Sequence, residues 1–324
     1  MPERTYLEAI RQGLLEEMER DEGVFLLGED IGVYGGAFKV TAGLIDKFGP
    51  ERVIDTPISE SAIVGASIGA ALMGMRPVAE MQFIDFISTT FDLITNFAAK
   101  CRYRWGAAVP LVIRGPCGGY VHGGPYHSQN VEAYFHHTPG LKIVQPSTPY
   151  DAKGLVKAAI RDDNPVLYFE HKYLYRRLRD EVPDDDYVVP IGKAAVRRRG
   201  TDLTIVTYGA LAPVCIEVAE DLASAGASVG VVDLRTLLPL DEETILEETA
   251  RSGKLLIVHE DTLTGGVGAE VAARVAEKAF EYLDGPVRRI AAADTPIPFS
   301  PVLEERVLPQ KADVLLAARE LLDY

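Results

Sequence analysis

The sequence predicts an α/β protein of two domains, each built around a mainly parallel sheet, and three observations carry that expectation. Short apolar or β-branched runs alternate with stretches of helical periodicity along almost the whole chain. Between Arg176 and Gly200 the alternation breaks, in "RRLRDEVPDDDYVVPIGKAAVRRRG", where prolines and a charge run hold no sustained period. It then resumes cleanly. At 324 residues the chain is long enough for two domains of ordinary size.

Taken in order, Leu7, Ile10, Leu14 and Met18 recur at helical spacing, so residues 5–20 read as an amphipathic helix. The strands expected next are "VFLLG" (24–28), "RVID" (52–55), "RPVAEM" (76–81), "PLVIRG" (110–115), "LKIVQP" (141–146) and "PVLYFE" (165–170). Helical stretches such as 84–103 and 150–161 lie between them. Strands joined by helical crossovers imply a parallel sheet covered on both faces. Residues 1–180 form the first domain on this reading and 181–200 a linker. The second domain, 201–324, is smaller. Its expected strands are "DLTIVTYG" (202–209), "SVGVVDL" (228–234), "KLLIVHE" (254–260) and "VRRIAAAD" (287–294), with helices at 211–225, 241–251, 267–282 and 311–322.

Composition narrows the class. Apolar residues at 47% and charged residues at 25% are ordinary for a globular protein. The longest uncharged apolar run, Ala62 to Met75, has 14 residues and is too short to span a bilayer. "MPERTYLEAI" has no apolar signal core, and its acidic residues argue against a transit peptide. Cys101, Cys117 and Cys215 are odd in number and widely spaced, giving neither a disulfide framework nor a zinc pattern, so a reducing cytoplasm is expected. The formal charge of −15 argues against nucleic acid or an anionic membrane as partner and would suit a basic protein.

Few motifs bear chemistry. "GPCGGYVHGGPYHSQN" (115–130) follows a strand without periodicity of its own, as functional loops often do. It carries His122 and His127, with His136 and His137 close behind, so four of the six histidines fall in one region. No metal-ligand spacing such as H-E-x-x-H is present, and glycine-rich chain supports a preformed metal cage poorly. A catalytic histidine on a mobile loop, or simply solvated histidines, fit the stretch better. "TGGVGAE" (264–270) fails the dinucleotide fingerprint, because its third small position is Val271. Neither a Walker motif nor a G-x-S-x-G elbow occurs. In "DTPISES" (55–61), Glu60 stands where a strand ends and a small-residue, uncharged helix begins. A carboxylate there could simply complement the helix dipole. Gly65 and Gly69 lie four apart on that helix and would let another backbone approach, within the chain or from another subunit.

Several long segments resemble one family. "GED" (28–30), "GGAFKVTAGL" followed by "KFGPERVIDTPISES", "RPVAEMQFIDF", "AAKCRYRWG", "HSQNVEAYFHHTPGLKIVQPSTPYDAKGL" and "NPVLYFEHKYLYR" resemble the beta subunit of the decarboxylating component of 2-oxo acid dehydrogenase complexes. The similarity covers essentially the whole chain. It implies the transketolase-like fold of thiamine diphosphate enzymes, with a pyrimidine-binding first domain and a C-terminal domain contributing to assembly.

The resemblance also implies roles. Glu60 matches the glutamate that hydrogen-bonds a ring nitrogen of the cofactor's aminopyrimidine, and a desolvated carboxyl can hold a proton near neutral pH. Phe86 matches an aromatic that stacks on the pyrimidine, Gln82 and Ile58 match cofactor-contacting positions, and Glu29 matches a carboxylate close to the cofactor. His127 matches the proton donor used when the acyl group passes to a lipoyl disulfide. Phe83, Phe86, Tyr126 and His127 are the expected lining of the substrate path. A potassium ion on the carbonyls of Leu111, Ala159, Ile160, Asp162 and Asn164 is a further family feature. The family's magnesium and diphosphate segment, "GDG", is absent, which implies an alpha subunit carrying Mg²⁺ and an α₂β₂ assembly. A dihydrolipoyl acyltransferase core with its lipoyl domain is the other expected partner. Branched-chain 2-oxo acids are favoured as substrate over pyruvate. A non-catalytic module of the same fold, or a lone histidine-loop metallohydrolase, would be the alternatives from other classes.

Overall fold

The structure, a computed structural model, describes residues 2–324. It divides into two compact units. One comprises Met1–Cys117 and Tyr134–Ile191, and the other comprises Gly118–Ala133 and Gly192–Tyr324.

The first unit opens with β1 (Glu3–Thr5) and α1 (Tyr6–Arg20). Thr5 caps α1 and forms a capping box with Glu8, satisfying two otherwise unpaired amides. There follow β2 (Val24–Gly28), α2 (Leu44–Phe48), β3 (Val53–Asp55), α3 (Glu60–Leu72), β4 (Arg76–Glu80), α4 (Cys101–Trp105) and β5 (Val112–Cys117). After α5 (Glu132–His136) come β6 (Lys142–Val144), α6 (Pro149–Arg161), β7 (Val166–His171) and β8 (Arg179–Glu181). Six strands run parallel in the order β6-β7-β5-β4-β2-β3, while β8 pairs antiparallel with β1. Every residue of β2, β5 and β7 is buried, as a sheet covered on both faces requires. On one face α1 packs against α6, which Thr148 caps at its start with Pro149 in the first turn.

The second unit contains β9 (Ala195–Arg198), β10 (Leu203–Thr207), α7 (Leu211–Ser224), β11 (Val229–Asp233), β12 (Thr236–Leu238), α8 (Glu242–Ser252), β13 (Leu255–Thr262), α9 (Val267–Lys278), β14 (Arg288–Ala292), α10 (Pro301–Val307) and α11 (Lys311–Leu322). Its five-stranded sheet has the order β14-β13-β10-β11-β9, parallel except for β9. Leu203, Ile205, Val229, Val231, Leu256 and Val258 meet α7 and α11 through Cys215, Val218, Leu222, Val314 and Leu321 to form its core.

Three differences from the sequence expectation have physical reasons. The stretch 84–103 is not one α-helix. It runs as a 3₁₀ segment (Ile84–Thr90), a π segment (Leu93–Phe97), a short 3₁₀ turn and then α4. The hydroxyls of Ser88, Thr89 and Thr90 donate to the carbonyls of Asp85, Phe86 and Ile87 three residues back, competing with the α-helical pattern. Within the stretch read as linker, "AVRR" (195–198) is strand β9, an antiparallel edge whose arginines hide its strand character. Residues 118–133 lie in the first domain by sequence order yet cluster with the second unit.

Candidate active site

In the first unit, β3, β2 and β4 end level with one another: Gly28 pairs with Asp55 on one side and with Glu80 on the other. Immediately beyond these carboxyl ends lie Glu29 and Asp30 after β2, Ile58 and Glu60 after β3, and Gln82, Phe83 and Phe86 after β4. The crevice outside the carboxyl ends of parallel strands is where open α/β sheets bind ligands.

Around that crevice the polar groups are held in place. Asp55 Oδ1 accepts the Gly32 N–H at 2.6 Å, and Gln82 Nε2 donates to Asp30 Oδ2 at 3.3 Å. Phe83 meets the Phe38 ring edge-on with centroids 5.5 Å apart. Glu60 is the first residue of α3 and is half-buried, while Ile58 is 83% exposed. Glu29 is buried, and one of its carboxylate oxygens, Oε1, has no hydrogen-bond partner. Burial and then the neighbouring Glu60 charge raise the Glu29 carboxyl above its ordinary value, although the Ser59 N–H works against them. Burial thus favours the protonated form of the Glu29 carboxyl, one strand away from Glu60.

These residues fit an aminopyrimidine. A carboxyl at a helix start, an unsatisfied buried carboxyl oxygen and an amide side chain could hydrogen-bond its edge, and an exposed isoleucine and a half-buried ring could contact its faces. Among the described residues no group of three or more His, Cys, Asp or Glu side chains could hold a metal ion.

Beneath the crevice lies a cluster the sequence did not signal. Arg114, on β5, is buried between Glu80 of β4 and Glu170 of β7, with Arg114 Nη2 2.6 Å from Glu170 Oε2 and ion pairs to both acids. Tyr175 donates its hydroxyl to Glu170 at 2.7 Å. Burial raises the Glu80 carboxyl even though Arg114 pulls it down. Burial opposes the Arg114 charge as well, but Glu170 and Glu80 together hold that guanidinium well above its usual range.

Tyr126 and His127 lie in the 118–133 segment and belong to the second unit, whereas His136 and His137 belong to the first. The four histidines close in sequence are thus divided between units. His127 is half-buried and its N–H donates to Gly124 O at 3.3 Å, while Tyr126 is exposed. The residues proposed to hold a monovalent cation lie toward the amino-terminal ends of the strands of the first sheet. Leu111 precedes β5, Ala159 and Ile160 end α6, and Asp162 and Asn164 precede β7. Arg76 Nη1 donates to Ile160 O at 2.9 Å and to Asp162 O at 3.1 Å. The Arg76 guanidinium thus places a positive charge against two of these carbonyls.

Comparison with known proteins follows this geometry. Residues 3–177 match the transketolase pyrimidine-binding domain and residues 192–314 the transketolase C-terminal domain. The chain is 53% identical over 325 residues to 2-oxoisovalerate dehydrogenase subunit beta of Bacillus subtilis (strain 168), covering 99% of each protein. The chain belongs to the 2-oxo acid dehydrogenase beta-subunit family. Another member of the beta-subunit family, the pyruvate dehydrogenase E1 component subunit beta of Staphylococcus aureus (strain COL), is 44% identical over 326 residues, covering 100% of both. The solved structure of a split gene transketolase, described as an inactive beta4 tetramer, superposes with a TM-score of 0.81 over 98% of both chains. At 23% identity it shows the fold that the beta-subunit family shares.

Proposed function

We propose that the chain is the beta subunit of a thiamine diphosphate-dependent branched-chain 2-oxo acid dehydrogenase, acting on substrates such as 2-oxoisovalerate. It would serve oxidative decarboxylation and transfer of the acyl group to a lipoyl domain, as half of an active site completed by an alpha subunit in an α₂β₂ assembly. The observation that carries this reading is the convergence of Glu29, Ile58, Glu60, Gln82 and Phe86 at the carboxyl ends of three neighbouring parallel strands.

When bound, the cofactor supplies the electron sink that takes up the electron pair released as carbon dioxide leaves. Glu60 hydrogen-bonds the pyrimidine ring nitrogen, and Glu29, whose carboxyl burial shifts upward, lies close to the cofactor. Phe86 and Ile58 present apolar surface to the ring and exclude water, and Gln82 fixes its edge. Phe83 and Tyr126 are the residues proposed to line the substrate's path. His127 gives a proton to the lipoyl sulfur as the acyl group arrives. Mg²⁺ belongs with the alpha subunit. A potassium ion on the carbonyls of Leu111, Ala159, Ile160, Asp162 and Asn164, toward the opposite ends of the strands from the crevice, would be structural. The negative surface suits a basic domain of the acyltransferase core. No helix among the described residues is long and apolar enough to cross a membrane.

Identity favours branched-chain acids over pyruvate, 53% against 44%. One or two methylenes change discrimination by only about 1–3 kcal/mol each, so the assay must decide. The chain and its alpha partner, separately and together, are assayed for carbon dioxide release from 2-oxoisovalerate and pyruvate with thiamine diphosphate and Mg²⁺. Activity only in the pair, faster on 2-oxoisovalerate, is expected. A faster rate on pyruvate would transfer the assignment to the pyruvate type, and activity of the chain alone would refute the shared site.

A further inference from the structure

The segment Gly118–Ala133 has no strand or helix to hold it until α5 begins, yet it is tied down at several points within the second unit. Gly118 N–H donates to Gln129 O at 3.0 Å and closes the loop on itself. Tyr120 and His122 both adopt left-handed backbone, each with φ of 61°, which is unfavourable for residues with side chains. Such a conformation persists only where its surroundings over-determine it.

The surroundings do so here. Glu304, on α10 and only 2% exposed, turns both carboxylate oxygens to His122: Oε2 lies 2.6 Å from Nδ1, and Oε1 accepts the backbone N–H at 3.3 Å. Glu260, at the end of β13, accepts the Gly119 N–H at 2.5 Å. Tyr120 donates its hydroxyl to Pro309 O at 2.8 Å. A Cβ at Gly119 would overlap Leu308, and one at Gly124 would overlap the Phe299 ring, so only glycine lets the loop lie this close to the α10 region. Further along, Tyr208 donates to Glu132 Oε1 at 2.8 Å. His127 stands five residues beyond His122, in a turn closed onto Gly124.

We propose that Glu304 is a positioning residue for acyl transfer: by gripping His122 it fixes the turn that presents His127. This rests on the reading of His127 as proton donor to the lipoyl group. Glu304 does not touch the reacting atoms on this account. It acts through the loop, so its loss shows in the step that uses His127 and not in the steps that use the Glu60 crevice.

The test uses the assembled enzyme carrying E304Q, E304D or H127A, with two assays and one structural readout. Carbon dioxide release to an artificial electron acceptor needs no lipoyl group, whereas acylation of a lipoyl domain does. For E304Q, kcat/KM for the lipoyl domain should fall about tenfold while release to the acceptor changes less than about twofold, and E304D should recover part of the loss. Backbone amides of residues 119–128 should exchange with solvent faster in E304Q, with β10 and β13 unchanged. Unaltered exchange in the loop, or equal loss in both assays, would overturn the proposal. H127A separates the two readings. If H127A impairs both assays alike, the role of His127 fails; if it is selective and E304Q is not, the role of Glu304 fails. Should E304Q not fold, H122Q carries the same tests, because His122 is 51% exposed at the outer end of the pair.

Discussion

Glu60 and Glu29 differ at the crevice by burial and not by residue type. Both are glutamates beyond the end of a parallel strand. Glu60 begins a helix and is half-buried; Glu29 is buried with an oxygen unpartnered and its proton held more firmly than usual. Glu60→Gln keeps the shape and removes the acid, so turnover with an artificial acceptor should fall at least about 10²-fold, the low end for a positioned acid–base group. Near-parent turnover would remove Glu60 from the chemistry. Its position was legible in the sequence because a carboxylate before an uncharged small-residue helix stands out. The burial of Glu29 was not, since "GED" looks like any polar turn until β3 and β4 flank it.

At the scale of elements, Arg114 ties β4, β5 and β7 beneath the crevice, through partners 34 and 56 residues away in sequence. No local pattern announces such a cluster, because parallel neighbours are separated by whole helices. Arg114→Met would strand two buried carboxylates. Breaking a buried ion pair costs about 3–5 kcal/mol, and denaturant unfolding should show a loss of that order at neutral pH. The sign of the pH dependence follows. Without the guanidinium, burial leaves Glu80 favouring its protonated form in the folded state, so the folded variant binds more protons than the unfolded chain as pH rises through the carboxylate range. Its deficit should therefore be larger at pH 8 than at about pH 5. A deficit independent of pH would mean that the arginine's packing, not its charge, is what matters. The segment 84–103 teaches a related lesson. Its apolar spacing reads as helix, but three successive hydroxyls offered competing bonds that periodicity does not count.

For the whole molecule, the informative surface is α3. The helix buries Ile63, Val64, Ser67, Ile68 and Ala71 but leaves Ala62, Ala66, Gly69 and Leu72 exposed, with Met73 following. A helix apolar on every side is not finished by one fold core. Tyr103, 96% exposed, and Trp105 add large apolar surface in the same unit. The alpha subunit would cover the α3 face on the proposed reading. Ala66→Arg should weaken assembly with that subunit by about tenfold, as charge in an interface core does. Measured on the chain alone, its unfolding should shift by no more than about 0.5 kcal/mol, because Ala66 is exposed there. Undiminished co-elution of the variant with the alpha subunit would put the interface elsewhere.

The sequence by itself determined the two α/β units, nearly every buried strand, and the place of Glu60, because these depend on periodicity and on short contiguous runs. Continuous apolar runs such as "VFLLG" can only be satisfied inside a sheet covered on both faces. The tertiary structure alone decided that Glu29 is buried with one oxygen unpaired, that Arg114 is gripped by two acids, and that residues 118–133 are held by Glu260 and Glu304 in the second unit. Those facts join residues from 34 to 182 positions apart. Desolvation and charge pairing depend on what stands beside a group in space, and the order of residues along a chain does not record that.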